Sequence, residues 1–329
     1  MPLERVAVIG AGAWGTALAQ AAAIAGREVV IVGRDANIVA EINADHTNRA
    51  YLGGQVLSPR ISASLGFDAS ADLVILAVPA QASRAALLAI GGAALAGKPV
   101  VLSAKGLEHG TLERQSEILA DRAPQAVPYV LSGPSFAEDV AAGRPTAVTL
   151  AGDDAERTLE IAAALASASF RPYVSDDRIG VELAGGLKNI YALACGAVDG
   201  AGLGASARAA LLARGYAEMA RLVVALGGSA ATLTGLAGLG DLALTCTSPQ
   251  SRNYQFGMAL GAGKTVAEIH AGHAKLAEGA LTAPVAQALA QRLGIDAPLI
   301  DAVNLLLAGT ASIEKIVAGL MSRPLKREE

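Results

Sequence analysis

The chain has 329 residues, enough for two domains with sizeable hydrophobic cores. Its 26 basic and 30 acidic residues give a formal net charge of -4, so no large basic excess is present to bind nucleic-acid phosphates or anionic lipids. Its two cysteines lie far apart and form neither a disulfide framework nor a metal-ligand spacing, which favours a reducing cytoplasm.

The first apolar run, Val6–Ile9, predicts a buried strand that leads into a G-x-G-x-x-G motif. A second apolar run, residues 29–32, follows the motif, and strand, glycine turn, helix and strand explain both runs better than an export signal does. In such a motif Gly10 permits a tight turn, Gly12 lets the backbone approach a pyrophosphate, and Gly15 lets the helix pack on the strand. Free N–H groups at the helix start would hold the anion, so a dinucleotide site is predicted.

Apolar runs alternate with helical stretches through the first half of the chain. The predicted strands are Val6–Ile9, Val29–Val32, Leu73–Val78, Val100–Ser103, Tyr129–Leu131 and Ala147–Leu150. The predicted helices between them are Trp14–Ala25, Ile38–Ala44, Ala82–Ile90 and Leu112–Leu119. This α/β alternation predicts a Rossmann-like, doubly wound parallel sheet with helices on both faces and ligands beyond the carboxyl ends of its strands.

The second predicted strand ends in Gly33-Arg34-Asp35, about where an acidic residue binds the adenosine ribose of NAD. Arg34 leads and could pair with a 2′-phosphate, which favours NADP(H), while Asp35 leaves NAD(H) as the other cofactor. A solvated Arg34 beside an Asp35 that caps the next helix explains the same residues and stays open.

Lys105 directly follows the predicted strand Val100–Ser103, at the edge of the sheet where ligands are expected. A cation there could polarise a carbonyl or hold a phosphate, and a surface lysine in a loop is the alternative. No metal site is predicted, because His270 and His273 stand at helical spacing without a third ligand. Cys195 is interpreted as a small core residue.

From about residue 179 the pattern becomes helical. The predicted helices are Val181–Ala197, Ala207–Leu226, Val266–Ile269, Pro284–Leu293 and Ile300–Leu307. We therefore predict a dinucleotide-binding domain over residues 1–179, an all-α substrate and catalytic domain over 180–322, and a charged tail over 323–329. The longest uncharged runs are interrupted by glycines, so no membrane insertion is expected.

Lys188 is the one charged residue between Glu182 and Asp199, within a run of Ala, Gly, Leu and Ile. Burial lowers the pKa of an ammonium group from about 10.4, and a lysine near neutrality can release and take up a proton during a reaction. A snorkelling lysine at a helix edge is the alternative. Asp241 could orient Lys188, accept a substrate hydroxyl proton or cap a helix, and Glu278 is equally ambiguous.

Ser251, Arg252 and Asn253 place a hydroxyl, a guanidinium and an amide side by side. Together these groups suit a phosphate monoester, because the guanidinium forms charged bidentate bonds and the neutral groups add directed hydrogen bonds. A turn followed by a helix N-cap explains the same three residues and stays open.

Six segments carry a family resemblance and occur in the family's order over most of the chain. They are residues 10–19 (GAGAWGTALA), 105–106 (KG), 132–137 (SGPSFA), 182–191 (ELAGGLKNIY), 238–241 (GLGD) and 251–253 (SRN). In these segments the chain resembles the bacterial type of NAD(P)-dependent glycerol-3-phosphate dehydrogenase. Ala13 stands where a serine is common in that family, which should matter little because the turn uses backbone groups.

The resemblance implies roles for the matching positions. Cofactor contacts are implied at Gly10, Gly12, Ala13, Trp14, Gly15, Arg34, Tyr51, Lys105, Ala137, Arg252, Leu276 and Glu278. Contacts to a small phosphate substrate are implied at Lys105, Gly133, Ser135, Lys188, Asp241, Ser251, Arg252 and Asn253. The catalytic residues would be Lys188, Lys105 and Asp241.

The implied reaction interconverts dihydroxyacetone phosphate and sn-glycerol 3-phosphate by hydride transfer, with Lys188 as proton donor and acceptor, and would supply phospholipid synthesis. Two alternatives stay open. Another two-domain dehydrogenase, acting on a 3-hydroxy acid or 6-phosphogluconate, would need a carboxylate clamp in place of residues 251–253. A catalytically silent NADP(H)-sensing module would not require Lys188. The sequence also leaves a homodimer open.

Overall fold

The structure is a computed structural model that describes residues 3–271, 277–325 and 327. This described part of the chain divides into two compact units. Unit 1 contains the residues up to Gly186 together with Leu226–Asp241, and unit 2 contains Leu187–Ala225 together with the residues from Leu242 onward. Each unit is therefore built from two separate segments of the chain.

Unit 1 is organised around a β-sheet. Its strands are β1 (Arg5–Ile9), β2 (Glu28–Val32), β3 (Ile61–Ser64), β4 (Leu73–Leu76), β5 (Pro99–Leu102), β6 (Val127–Ser132), β7 (Thr146–Ala151) and β8 (Phe170–Ser175). Among the described residues they form one eight-stranded sheet in the order β3-β2-β1-β4-β5-β6-β7-β8. The Rossmann-like prediction is confirmed, although β7 runs antiparallel to β6 and carries β8 with it.

The strand order reverses between β1 and β4, which lie side by side in parallel with Ile9 opposite Leu76. Their carboxyl ends are therefore level, and a doubly wound sheet binds its ligands beyond such a reversal. Along β1 the side chains alternate between two buried clusters, with Val6 and Val8 in one and Ala7 and Ile9 in the other. Both faces of the sheet are thus covered, as the apolar strands predict.

The helices flank this sheet or form unit 2. In unit 1 they are α1 (Ala13–Ile24), α2 (Ala36–Asp45), α3 (Arg49–Leu52), α4 (Ser83–Ile90), α5 (Gln115–Arg122), α6 (Ala137–Ala141) and α7 (Ala155–Leu165), with 3-10 turns at Ala80–Ala82 and Gly92–Leu95. Next in the chain come α8 (Arg178–Gly200), α9 (Ala205–Ala225), α10 (Ala230–Leu233), a π-helical turn at Leu236–Gly240 and α11 (Asp241–Thr247). The remaining helices are α12 (Arg252–Gly261), α13 (Val266–Ala271), α14 (Glu278–Leu293), α15 (Pro298–Ala308) and α16 (Ile313–Met321).

Three predicted helix starts are wrong, and the helix predicted from Val181 begins three residues earlier, at Arg178. The helix predicted from Leu112 begins three residues later, because Leu112 has a φ of 65° in the left-handed region that a right-handed helix excludes. The helix predicted from Pro284 begins at Glu278 and contains Pro284 in its interior. Within the described residues, no helix combines the length and apolarity needed to cross a bilayer.

The second segment of unit 1 is attached to the first by Asp177, which precedes α8. Its Oδ2 accepts the N–H of Ser229 at 2.8 Å and the hydroxyl of Thr232 at 2.6 Å. Ala237, in the same segment, is buried in a core cluster that also contains Val181. Leu226–Asp241 is therefore an integral part of unit 1.

In unit 2, α8 and α12 touch backbone to backbone, at a contact that we call the glycine crossing. It consists of Gly196 and Gly200 on α8 and Gly257 and Gly261 on α12. An ideal Cβ at any of the four would lie 2.0–2.1 Å from a carbonyl oxygen of the facing helix. Side chains would force the two helices apart, so their separation is set by the absence of Cβ atoms.

Candidate active site

The loop after β1 has the geometry that its glycine motif predicts. Gly10 has a φ of 118°, and an ideal Cβ there would lie 2.8 Å from the carbonyl oxygen of Ala77, the residue after β4. A Cβ at Gly15 would lie 1.9 Å from the carbonyl oxygen of Gly10 and would push α1 away from the loop. The fold itself therefore requires glycine at both positions.

Gly12, in contrast, is not required by the backbone conformation or by packing. Its φ of -78° and ψ of 178° suit any residue, and no atom of the described residues lies within 4 Å of an ideal Cβ. Gly12 is the N-cap of α1, whose first turn carries no acidic side chain in the described structure. The open space therefore faces uncapped N–H groups at the positive end of a helix, which fits the pyrophosphate of a dinucleotide.

Arg34 and Asp35 follow β2 at the same edge of the sheet. Asp35 is the N-cap of α2, and its Oδ1 accepts the N–H of Asn37 at 2.8 Å. The helix-cap interpretation of Asp35 is therefore confirmed. Arg34 is exposed to solvent, so its guanidinium is accessible to an anion.

Lys105, after β5, contacts several elements of unit 1 in what we call the Lys105 cluster. Its Nζ donates to the carbonyl oxygen of Gly133 at 3.1 Å and to Oδ2 of the fully buried Asp241 at 2.7 Å. The Ser135 hydroxyl donates to the same Gly133 carbonyl at 2.9 Å, and the Trp14 ring centre lies 5.9 Å from Nζ. The alternative of a surface lysine is wrong, because this ammonium is held by a carboxylate and a backbone carbonyl.

Side chains from α4 and α5 hold the loop that carries Lys105. Gln115 Nε2 donates to the carbonyl oxygen of Gly106 at 3.0 Å. Arg84 donates to both carboxylate oxygens of Glu108, at 2.8–3.1 Å, and these bonds lower the pKa of Glu108. The loop is thus fixed on both sides of its backbone, which limits where Lys105 can lie.

Lys188, on α8 in unit 2, is buried with 6% of its surface exposed. Its Nζ donates to the hydroxyl of Thr245 at 2.8 Å. The snorkelling alternative is wrong, because a snorkelling lysine keeps its ammonium in bulk water. Thr245 was missed at the sequence level, although it follows Asp241 by four residues and therefore lies on the same side of α11.

Asn253 joins three helices of unit 2. Its Nδ2 donates to Oδ1 of Asn189, the residue after Lys188, at 2.9 Å. Its Oδ1 accepts the N–H of Gly279, near the start of α14, at 2.8 Å. Asn189 was also missed at the sequence level, and its position inside the resembling segment 182–191 is the signal that could have found it. The hydrogen bonds of Asn253 fix it relative to Lys188 on α8.

Ser251 and Arg252 form the start of α12. The Ser251 hydroxyl is the N-cap and accepts the N–H of Tyr254 at 3.2 Å, which confirms the helix-cap interpretation for this residue. Arg252 occupies the first helical position and is exposed. An accessible guanidinium therefore stands at the positive end of a helix, where an anion is stabilised.

The other predicted residues have diverse positions. Tyr51 is exposed on α3, Ala137 is the first residue of α6, and Glu278 is the first residue of α14. Leu276 lies outside the described residues, as does His273. Cys195 is fully buried with its thiol free, which confirms the core interpretation.

Comparison with known proteins identifies the family. The model for the N-terminus of NAD-dependent glycerol-3-phosphate dehydrogenase matches residues 5–158, and the model for its C-terminus matches residues 177–318. The chain belongs to this family. Another two-domain dehydrogenase and a catalytically silent module, the two alternatives, are therefore wrong.

Individual relatives agree over the full chain. The glycerol-3-phosphate dehydrogenase (NAD(P)+) of Caulobacter vibrioides is 50% identical over 330 residues, with 100% of each chain covered. That of Parvibaculum lavamentivorans is 48% identical over 327 residues, with 99% of this chain and 98% of the relative covered. The crystal structure of the Coxiella burnetii enzyme matches with a TM-score of 0.90 at 38% identity, covering 98% of this chain and 100% of that one. The predicted enzyme class and its dependence on NAD(P) are confirmed.

Proposed function

We propose that the protein interconverts dihydroxyacetone phosphate and sn-glycerol 3-phosphate, with Lys188 as the proton donor and acceptor at the C2 oxygen. The observation that carries the proposal is the buried Lys188 ammonium bonded to the Thr245 hydroxyl. A hydroxyl both accepts and donates hydrogen bonds, so it can hold the amine in place whether or not the amine carries its extra proton. This arrangement suits a group that must gain and lose a proton in each turnover.

Reduction of a carbonyl needs a hydride on carbon and a proton on oxygen. The dihydronicotinamide supplies the hydride when the cofactor is bound. Lys188 then gives a proton to the oxygen as negative charge develops there, and in the reverse direction it removes the proton of the C2 hydroxyl. Within unit 1, Lys105 is held by Asp241 and Gly133 and offers a fixed positive charge of the kind that stabilises a developing alkoxide.

The start of α12 supports binding of the substrate phosphate. Arg252 offers an exposed guanidinium at a helix N-terminus, and Ser251 and Asn253 flank it. Binding a phosphate there would use interactions remote from the reacting carbon to fix its orientation. Because Asn253 is already hydrogen-bonded to Asn189, the phosphate position would be tied to the helix that carries Lys188.

The loop after β1 would hold the cofactor, with the pyrophosphate against Gly12 and α1 and with Trp14 nearby. The exposed Arg34 supports NADP(H) as the preferred cofactor, because the Asp35 carboxylate is engaged at the start of α2. Three further points stay predictions from the sequence: the supply of sn-glycerol 3-phosphate for phospholipid synthesis, a cytoplasmic location and a homodimer.

Replacement of Lys188 by methionine tests the proposed proton transfer, because Lys188→Met keeps the apolar stem and removes the amine. We expect kcat for NADPH oxidation with dihydroxyacetone phosphate to fall about 100-fold to 10,000-fold, the usual contribution of a positioned acid or base. The matched control is Lys315→Met on α16, an exposed helical lysine, for which kcat should stay unchanged.

Three results would contradict the proposal in different ways. Near-normal kcat in Lys188→Met, with the wild type active, would remove Lys188 from the chemistry and leave the enzyme assignment intact. Absence of turnover in the wild type with this substrate would contradict the reaction itself. A change in the KM for dihydroxyacetone phosphate alone would assign Lys188 to binding.

A further inference from the structure

Asn48 is a fully buried side chain that contacts the glycine loop from the segment between α2 and α3. Its Nδ2 donates to the carbonyl oxygen of Ala11 at 3.0 Å and to the hydroxyl of Thr16 at 2.9 Å. Ala11 lies between the first two glycines of the motif, and Thr16 lies in the first turn of α1. One amide group therefore connects the loop to the helix that follows it.

The bond to Ala11 determines where the next N–H points. In a planar trans peptide the C=O of Ala11 and the N–H of Gly12 point in opposite directions. Holding the Ala11 carbonyl against Asn48 therefore aims the Gly12 N–H away from Asn48. Without that bond, the peptide could rotate as a plate about the flanking φ and ψ angles, and glycine neighbours offer little steric resistance to such a rotation.

Asn48 itself is anchored from behind by α2. Glu41 Oε1 accepts the hydroxyl of Thr47 at 2.8 Å and the N–H of Arg49 at 2.8 Å, so the residues on both sides of Asn48 are attached to the same carboxylate. These hydrogen bonds lower the pKa of Glu41, with the Arg49 N–H as the main cause. The carboxylate is therefore charged at neutral pH and accepts both bonds strongly.

The main chain of Asn48 is fixed as well. Its carbonyl oxygen accepts the N–H of Tyr51 at 3.1 Å and of Leu52 at 2.8 Å, which starts α3. Further along the same segment, Gln20 on α1 accepts the N–H of Ser58 at 2.8 Å. The segment that carries Asn48 is thus tied to both α1 and α2, so Asn48 holds the loop from a rigid support.

We propose that Asn48 is a positioning residue for cofactor binding, which fixes the peptide between Ala11 and Gly12 so that its N–H is aligned before the pyrophosphate arrives. The inference rests on the proposed cofactor site at the glycine loop. Fixing binding groups in advance increases affinity, because less conformational freedom is lost on association. Asn48 lies on the loop and not at the reacting atoms, so it should act on cofactor affinity and leave the chemical step unchanged.

The chain contains one tryptophan, Trp14, next to Ala13 at the start of α1, so its fluorescence reports on binding at the loop. Titration of the full chain with NADPH should show an about tenfold higher Kd for Asn48→Ala than for the wild type, the effect of losing one or two net hydrogen bonds. At saturating NADPH, kcat and the KM for dihydroxyacetone phosphate should match the wild type.

Asn43 provides a matched control in the same unit. Its amide exchanges two hydrogen bonds with the backbone of Ala63 on β3, at 2.9 and 2.7 Å, away from the glycine loop. Asn43→Ala should leave the Kd for NADPH unchanged. If Asn48→Ala does not fold, Thr16→Val replaces it, since this variant removes the second acceptor and keeps the shape. It should raise the Kd about threefold.

An unchanged Kd in the folded Asn48→Ala variant, or in Thr16→Val when that variant is used, would overturn the proposal. So would an equal rise in Asn43→Ala, or a fall in kcat at saturating NADPH, because either would show a general loss of structure. A wild type that shows no NADPH-dependent change in Trp14 fluorescence or in thermal unfolding would instead overturn the cofactor site on which the inference rests.

Discussion

The hydroxyl that contacts Lys188 supports the role proposed for this lysine. Lys188 is buried, and its Nζ donates to the Thr245 hydroxyl at 2.8 Å. A hydroxyl both accepts and donates hydrogen bonds, so this contact can persist in either protonation state of the amine. Within unit 1, Lys105 donates to the Asp241 carboxylate, a charge-assisted bond that favours the protonated ammonium.

Single residues of the site were predictable where their charge contrasts with an apolar neighbourhood. Lys188 and Asp241 stand out in this way, because a buried charge requires a partner, whereas Lys105 was predictable from its place directly after a strand. Thr245 and Asn189 carry no such contrast, since neutral hydroxyls and amides occur throughout helices. Their roles depend on which side chain lies opposite, and that information exists only after the helices pack.

Arg34 gives a prediction at the residue scale. Arg34→Ala should raise the KM for NADPH about tenfold to hundredfold and leave the KM for NADH nearly unchanged, because only the phosphorylated ribose offers a charged partner to the guanidinium. Steady-state kinetics with both cofactors measure the effect. Arg60→Ala, at an exposed arginine before β3, is the control. Equal increases for NADPH and NADH would contradict the 2′-phosphate role.

At the scale of elements, the glycine crossing sets the distance between α8, which carries Lys188, and α12, which begins at Arg252. An ideal Cβ at Gly257 would lie 2.0 Å from the carbonyl oxygen of Leu193, well inside contact distance. The backbone of a helix cannot yield locally, so the extra atom must separate the helices. Glycine is thus required by packing, despite its low helix propensity.

Gly257→Ala should therefore lower the free energy of unfolding by about 3 kcal/mol, in the range expected for overpacking a rigid contact. Gly319, inside α16, has no described atom within 4 Å of an ideal Cβ and is the control. Gly319→Ala should raise the same free energy by about 0.5–1 kcal/mol, because alanine favours the helix. Urea unfolding measures both changes, and a stabilised Gly257→Ala would contradict the crossing.

The elements that the sequence missed have identifiable physical causes. β3 (ISAS) is a short edge strand with two serines, so it lacks the apolar run that marks a buried strand. α12 (RNYQFGMALG) contains two glycines and little helical periodicity, because its close approach to α8 replaces an apolar stripe. The long apolar strands and α1 were predictable, since both faces of the sheet are buried there.

At the scale of the whole molecule, one buried carboxyl makes stability depend on pH. Glu218 on α9 is 1% exposed and accepts the N–H groups of Leu299 and Ile300, each at 3.0 Å, at the start of α15. Burial raises the pKa of Glu218 from 4.5 to about 7, against the opposing effect of these two bonds. The folded protein therefore binds a proton more tightly than the unfolded chain does.

A raised pKa contributes stability below pH 4.5 that is lost as the pH rises through about 7. The wild type should lose roughly 3 kcal/mol of unfolding free energy from this group between pH 4.5 and pH 8. Glu218→Gln cannot titrate, so its loss over the same range should be smaller by that amount. Denaturant unfolding at several pH values measures the slope, with the exposed Glu156→Gln as control. Parallel slopes for Glu218→Gln and the wild type would contradict this assignment.

The boundaries of the two units were harder to predict from the sequence than the helices and strands were. A change from alternating strands and helices to helices alone is visible near residue 180, since it is a change in local pattern. The return of Leu226–Asp241 to unit 1 is not visible in the sequence, because its helical turns have the same local pattern as the helices on either side. Tertiary contacts hold this segment in unit 1, namely the hydrogen bonds of Asp177 and the burial of Ala237.

That returning segment has a consequence for synthesis on the ribosome. Chains grow from the N-terminus at about 5–20 residues per second, and domains generally fold as units while they emerge. Unit 1 lacks Leu226–Asp241 until all of Leu187–Ala225 has been made. The nascent sheet therefore waits several seconds for its last covering segment, and for that interval Lys105 has no Asp241 to bind. The Lys105 cluster is therefore completed only after α8 and α9 have been synthesised.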